Sequence, residues 1–212
     1  MNIKGNIESI LKTLDKNVQL VAVSKTKPNE SILEAYQAGQ RVFGENKVQE
    51  LAQKAEVLPK DIKWHMIGHL QSNKVKYIAP FVSLIHAVDT KKLLKEIDKR
   101  ARQNNRIIHC LLQIHIAKES SKFGLSEEEA MELLKQDYPN VSIDGLMGMA
   151  TFTKDKEQIR SEFNYLNSVF RKAQDINQRL SILSMGMSGD YNIAIEEGSN
   201  MIRIGSSIFG SR

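Results

Sequence analysis

The chain has 212 residues, 41% of them hydrophobic and 26% charged, with a formal net charge of +5 at pH 7. That balance excludes disordered and fibrous classes and suits a single soluble domain of α/β type. The cations are scattered and only 6% of residues are aromatic, so no nucleic-acid partner is expected, while a small anionic ligand would be well served. Cys110, within the apolar run Ile107 to Ile116, is the single cysteine, which allows no internal disulfide and reads as a buried structural thiol. Met1 to Glu8 carries no apolar signal-peptide core, and no apolar run approaches the roughly 20 residues that span a bilayer. A cytoplasmic protein with no membrane partner is expected.

In chain order, Asn2 to Leu14 reads as an opening helix, with Ile3, Ile7, Ile10, Leu11 and Leu14 on one stripe. Leu20 to Ser24 is a buried strand, and Pro28-Asn29 opens a helix to about Ala38, ended by Gly39. The alternation continues: strand Arg41 to Gly44, helix Asn46 to Val57, strand Lys63 to Ile67, helix Ser72 to Ile78, strand Phe81 to Val88, helix Thr90 to Asn104. Then come strand Arg106 to Ile116 and helix Ser126 to Lys135, where Ser126 and Glu129 form a capping box. Strand Val141 to Ala150, helix Lys154 to Asn177, strand Leu180 to Met185, helix Asp190 to Glu197 and strand Met201 to Ile204 complete the series. Strict alternation implies parallel strands with helical crossovers, and eight such units suit a (β/α)8 barrel with an extra N-terminal helix. An open doubly wound sheet is the alternative. No linker or repeat divides the chain, so residues 1–212 read as one domain.

In a parallel barrel, ligand groups gather at the C-terminal ends of the strands. Small and polar residues collect there: Ser24-Lys25-Thr26-Lys27, Gly44-Glu45-Asn46, Gly68-His69-Leu70-Gln71, Met147 to Thr151, Met185 to Asp190 and Arg203 to Ser207. Ser188-Gly189 before a short helix and Gly205-Ser206-Ser207 after the last strand suit a phosphate, which such barrels commonly hold after strands 7 and 8. Taken alone, either segment is an ordinary turn. Lys25, after the first strand, would point its amine at the mouth, where desolvation and nearby cations favour the nucleophilic neutral form; a salt-bridged strand-end lysine is the plainer reading. Lys25 facing a phosphate site across the mouth fits pyridoxal 5′-phosphate (PLP), whose aldehyde and phosphate lie on opposite sides of its ring, and Arg203 falls where the pyridine nitrogen needs a partner. His65 and His69 are four apart but lack the glutamate of a zinc helix, so no metal is expected; His69 faces the rim, and His65, His86, His109 and His115 are structural or exposed. Met147, Met149, Met185 and Met187 alternate at period 2 as core residues, although one could floor the cofactor ring.

Six segments in this order carry a family resemblance: Val21 to Lys27, Phe43 to Glu50, Ile67 to Lys74, Gly145 to Met147, Ser184 to Asp190, and Arg203-Ile204-Gly205 with Ile208-Phe209-Gly210. They resemble the PLP homeostasis proteins (the YggS/PROSC group), which share the N-terminal barrel of alanine racemase. The resemblance implies PLP on Lys25 as a Schiff base, Asn46 near the ring hydroxyl, and Ser188, Gly189, Gly205 and Ser206 around the phosphate. It places Arg203 at the pyridine nitrogen; from the residue reading, Met185 and His69 are expected as further cofactor neighbours. It implies a carrier or regulator of PLP supply, with PLP-dependent apoenzymes as acceptors. Lys47, Gly148 and His115 depart from the residues common in the family at those positions.

Alanine racemases add a C-terminal β-domain that supplies a tyrosine base and closes the site in a dimer. The chain stops at Arg212, soon after the last motif, so a monomer with an open mouth is expected, without efficient turnover and with no catalytic residue assigned. An arginine beside the pyridine nitrogen also disfavours its protonation and makes the ring a poorer electron sink. A slow PLP-dependent racemase or related amino-acid enzyme is the alternative.

Overall fold

Each short apolar run is a strand in the computed structural model, which describes residues 2–119 and 123–210; Met1 and Arg212, which bounded two of the sequence readings, lie outside them. The strands are β1 Gln19–Val23, β2 Val42–Glu45, β3 Lys63–Met66, β4 Leu84–Val88, β5 Ile108–Gln113, β6 Val141–Met147, β7 Ile182–Met187 and β8 Met201–Ile204. They pair in parallel in chain order, and β1 pairs with β8, so the sheet closes on itself and the open alternative falls. The helices are α1 Ile3–Thr13, α2 Asn29–Gln37, α3 Val48–Val57, α4 Lys91–Gln103, α5 Glu127–Leu134, α6 Lys156–Ile176, α7 Tyr191–Glu196 and α8 Ser206–Phe209.

Side chains at the helix starts occupy backbone donors that have no partner within the helix. Asn2 accepts from Gly5 N–H, Asp155 from Glu157 and Gln158, and the Ser126–Glu129 capping box is complete. The helix read over Ser72 to Ile78 winds as a 3-10 helix over Ser72–Tyr77, and Phe81 to Ser83, read as strand, lie outside the sheet, so β4 begins at Leu84. The run read as strand to Ile116 leaves the sheet after Gln113, where Ile114 makes one bridge to Leu125.

Two apolar layers result. Ile7, Phe43, Leu51, Ile85, Leu112, Phe163 and Ile202 belong to the large layer between barrel and helices. Inside the barrel, Val21, Val42, Leu84, Leu111, Met147 and Met201 form a smaller plug. The alternation of a strand sends every second residue inward, so the plug positions Val21, Met147 and Met201 predict what stands two residues further toward the mouth: Val23, Met149 and Arg203. Among the described residues, no helix is long and apolar enough to cross a membrane.

Candidate functional site

A cleft of about 580 Å³ opens at the C-terminal mouth of the barrel. Lys25, Asn46, Ser188, Gly189, Arg203, Gly205 and Ser206 all line it, so seven of the nine cofactor neighbours named from the sequence meet in one cavity. Lys27, Ile67, Met149, Thr151 and Phe152 also line it. The sequence reading did not assign Lys27; its ammonium donates to the Gly210 carbonyl at 3.1 Å.

Lys25 continues the inward parity of Val21 and Val23 and is half-buried. The next residue, Thr26, has φ +62, a left-handed conformation that is costly for a β-branched side chain. Its N–H donates to Glu50 Oε1 at 2.6 Å. Asn46 is held where the loop after β3 crosses it. A Cβ on Gly68 would lie 2.4 Å from the Asn46 carbonyl oxygen, so only glycine permits that approach.

Arg203 is 4% exposed and points into the barrel from β8. It donates to Ser184 Oγ at 2.6 Å and to the Gly148 carbonyl at 3.1 Å. A relay of hydrogen bonds continues behind it: Ser184 Oγ to His86 Nδ1 at 3.1 Å, and His86 Nε2 to His65 Nδ1 at 3.0 Å. Arginine only donates, so Ser184 Oγ accepts from Arg203, and the tautomers of the two rings set the direction of the bonds behind it. Burial pushes both imidazoles toward the neutral form, His65 down to about 3 and His86 well below its ordinary value. Burial also brings Arg203 down to about 10, partly opposed by the charge of Asp190. At neutral pH the guanidinium therefore remains a cation, backed by neutral groups.

The glycines at the rim leave room. A Cβ on Gly189 would meet nothing within 4 Å, and one on Gly205 would only touch Val23 at 3.4 Å, so a side chain at either position would occupy ligand space without displacing protein. The Gly205 N–H donates to Ser188 Oγ at 3.2 Å, tying the β7 and β8 loops together.

Two expected cofactor neighbours stand elsewhere. Met185 is fully buried in the outer layer, because Ile182 and Ser184 take the inward positions of β7. Gly186, at φ +96, then turns the chain so that Met187, not Met185, reaches the cleft. His69 follows the Gly68 crossing and lines a second cleft of about 550 Å³. There its Nδ1 bonds Asp89 Oδ2 at 2.9 Å and its ring stacks on Phe123 at 4.0 Å. Ile67, two residues beyond inward-facing His65, holds the cleft position instead.

The alanine racemase N-terminal domain family model matches residues 1–212. A relative named pyridoxal phosphate homeostasis protein, from Aquifex aeolicus, is 42% identical over 92% of this chain and 87% of its own length. The chain belongs to the pyridoxal phosphate homeostasis family. The family extends to a Schizosaccharomyces pombe member, 39% identical over 93% of this chain and 85% of the relative. Among solved structures, PipY of Synechococcus elongatus is 36% identical, covers 98% of this chain and 100% of its own, and superposes with a TM-score of 0.93 without PLP and 0.90 with PLP bound. Alanine racemase from Bartonella henselae, 17% identical with a TM-score of 0.76, shares the barrel over 99% of this chain and 58% of its own.

Proposed function

We propose that this protein, as one domain, binds PLP in the barrel mouth as a Schiff base on Lys25, and holds or delivers it in cofactor homeostasis. The observation that carries this reading is Arg203. Among the described residues, its buried guanidinium makes no ion pair, and it borders the same cleft as the Lys25 amine. Buried charges are ordinarily paired, so a cation at a cavity wall with no carboxylate in ion-pair contact, and only the charge of Asp190 acting on it from further off, suits a ligand that brings its own acceptor and negative charge.

The residues fit PLP as a set. Lys25 supplies the primary amine. Arg203 would donate toward the ring nitrogen, and its charge would keep that nitrogen unprotonated. Ser188, Gly189, Gly205 and Ser206 leave a side-chain-free pocket bordered by hydroxyls for the phosphate, and Asn46 borders the ring hydroxyl. When bound, the cofactor supplies an aldehyde that condenses with the amine, releasing one water, and is returned by the reverse reaction. No tyrosine borders the cleft among the described residues, and its mouth is open. Storage and exchange are therefore favoured over slow racemisation or related amino-acid chemistry. PLP-dependent apoenzymes are the proposed acceptors and a cytoplasmic monomer the proposed form.

Borohydride reduction after loading, followed by peptide mapping, tests the assignment. The expected result is one pyridoxyl group on the Lys25 peptide, and none in Lys25→Ala. A label on Lys27, or an unchanged visible band in Lys25→Ala, overturns it. A turnover assay across amino acids separates the storage reading from the racemase one.

A further inference from the structure

Behind Lys25, on the side away from the cleft, lies a charged cluster that the binding reading does not use. Glu45 is completely buried and Lys54 is 6% exposed. The Lys54 ammonium donates to Glu45 Oε1 at 2.8 Å, to Glu50 Oε1 at 2.7 Å and to the Ser24 carbonyl at 2.9 Å. Its three donors are thus all taken. Ser24 Oγ donates to the same Glu45 oxygen at 2.6 Å, and Glu50 Oε1 accepts the Thr26 N–H at 2.6 Å.

The bonds converge on two peptide groups. The Ser24 carbonyl belongs to the peptide that leads into Lys25, and the Thr26 N–H to the peptide that leaves it. Between them the chain leaves β1 and enters the left-handed conformation of Thr26, which nothing in a threonine favours. A strained residue persists only where its surroundings over-determine it; the turn bond from the Lys27 N–H to the Ser24 carbonyl at 3.0 Å holds Thr26 from one side and this cluster adds the rest. It is also an expensive device for mere stability, since a buried ion pair rarely outperforms apolar packing of the same volume.

We propose that Lys54 and Glu50 are positioning residues for Lys25, gripping the peptide groups on either side of it and so setting the direction in which its amine enters the cleft. Lys54 acts directly at Ser24 and through Glu50 at Thr26. The inference rests on the reading that Lys25 bonds the PLP aldehyde. Misdirecting a reacting group by about an ångström costs up to roughly a hundredfold, while ligand groups held at β7 and β8 would be untouched.

The test compares two vitamers on the full chain: PLP, which has the aldehyde, and pyridoxine 5′-phosphate, which has an alcohol there and can use only the ring and phosphate contacts. Glu50→Ala, on a side chain that reaches the surface, and Lys54→Met are titrated with both ligands, alongside amide exchange at Thr26. The expected outcome is a loss of about tenfold or more in PLP affinity, less than twofold change for pyridoxine 5′-phosphate, and faster Thr26 exchange. Equal losses for both vitamers, or no loss for either, overturn the positioning role. If Lys54→Met does not fold, Glu50→Ala alone decides. If the unaltered protein gives no label at Lys25 and does not distinguish the two vitamers, the Schiff-base reading itself has failed, and Thr26 exchange then decides whether the clamp exists.

Discussion

The two sides of the barrel mouth are supported in opposite ways. Lys25, leaving β1, is backed by formal charges, two carboxylates and an ammonium locked to one another in the interior. Arg203, on β8, is backed by a hydroxyl and two neutral imidazoles. On the first side the charges answer one another within the protein, although the buried Glu45 Oε2 has no hydrogen-bond partner, and what the cluster provides is geometry. On the second side it is left open, and what Arg203 provides is an attraction for something from outside.

The sharpest way to break this contrast is to delete each cation. Lys54→Met leaves Glu45, whose carboxyl burial already pushes toward protonation, without its counter-charge, and about 3–5 kcal/mol of stability should go. Arg203→Leu removes a buried charge that had no ionic partner, so the ligand-free protein should lose about 1 kcal/mol or less in urea unfolding, mostly from the two hydrogen bonds. Its thermal stabilisation by PLP should nearly vanish. Equal stability losses in the two variants would erase the distinction.

The neutral relay gives a smaller, pH-dependent signature. His65 and His86 have folded-state pKa values below their unfolded ones, so the unfolded chain binds more protons in acid. The stability they carry is complete above about pH 6.5 and is lost as pH falls, toward about 3 for His65 and in the same direction for His86, at roughly 1.4 kcal/mol per pH unit for a ring titrating only in the unfolded chain. His86→Gln, which keeps an amide near Ser184 and cannot titrate, should remove one ring's share of that slope in urea titrations between pH 7 and 5. A slope unchanged by the substitution would mean the relay is not neutral. The smallest effect belongs to Gly189→Ala. With open space around the added methyl, stability should hold or rise by about 0.5 kcal/mol, while affinity for pyridoxine 5′-phosphate falls.

Much of this was legible from sequence because strands announce themselves as short apolar runs and a barrel gathers whatever follows them. Lys25, Asn46, Arg203 and the Ser-Gly segments stand at or just past strand ends, so their meeting follows from topology. What escaped was parity and depth. Met185 was read from a row of alternating methionines, but only the register of β7, with Ser184 turned to Arg203, decides which of its residues face inward. His69 lies beyond the strand, where a glycine crossing redirects the chain. Glu50 and Lys54, four apart on α3, have the spacing of an ordinary surface pair. Only the fold shows that this face of α3 packs against the turn carrying Lys25. His65 and His86 are bland singly and form a relay only because β3 and β4 bring them together inside the barrel.

The seam of the barrel has a consequence for how the molecule comes into being. Val21 and Arg203 are register partners on β1 and β8, so the cleft they lead into has no walls until strands from opposite ends of the sequence have met. A nascent or partly folded chain therefore presents Lys25 and Arg203 without the pocket between them. A ligand that binds only this cleft adds its binding free energy to the closed barrel and so discourages the seam from reopening.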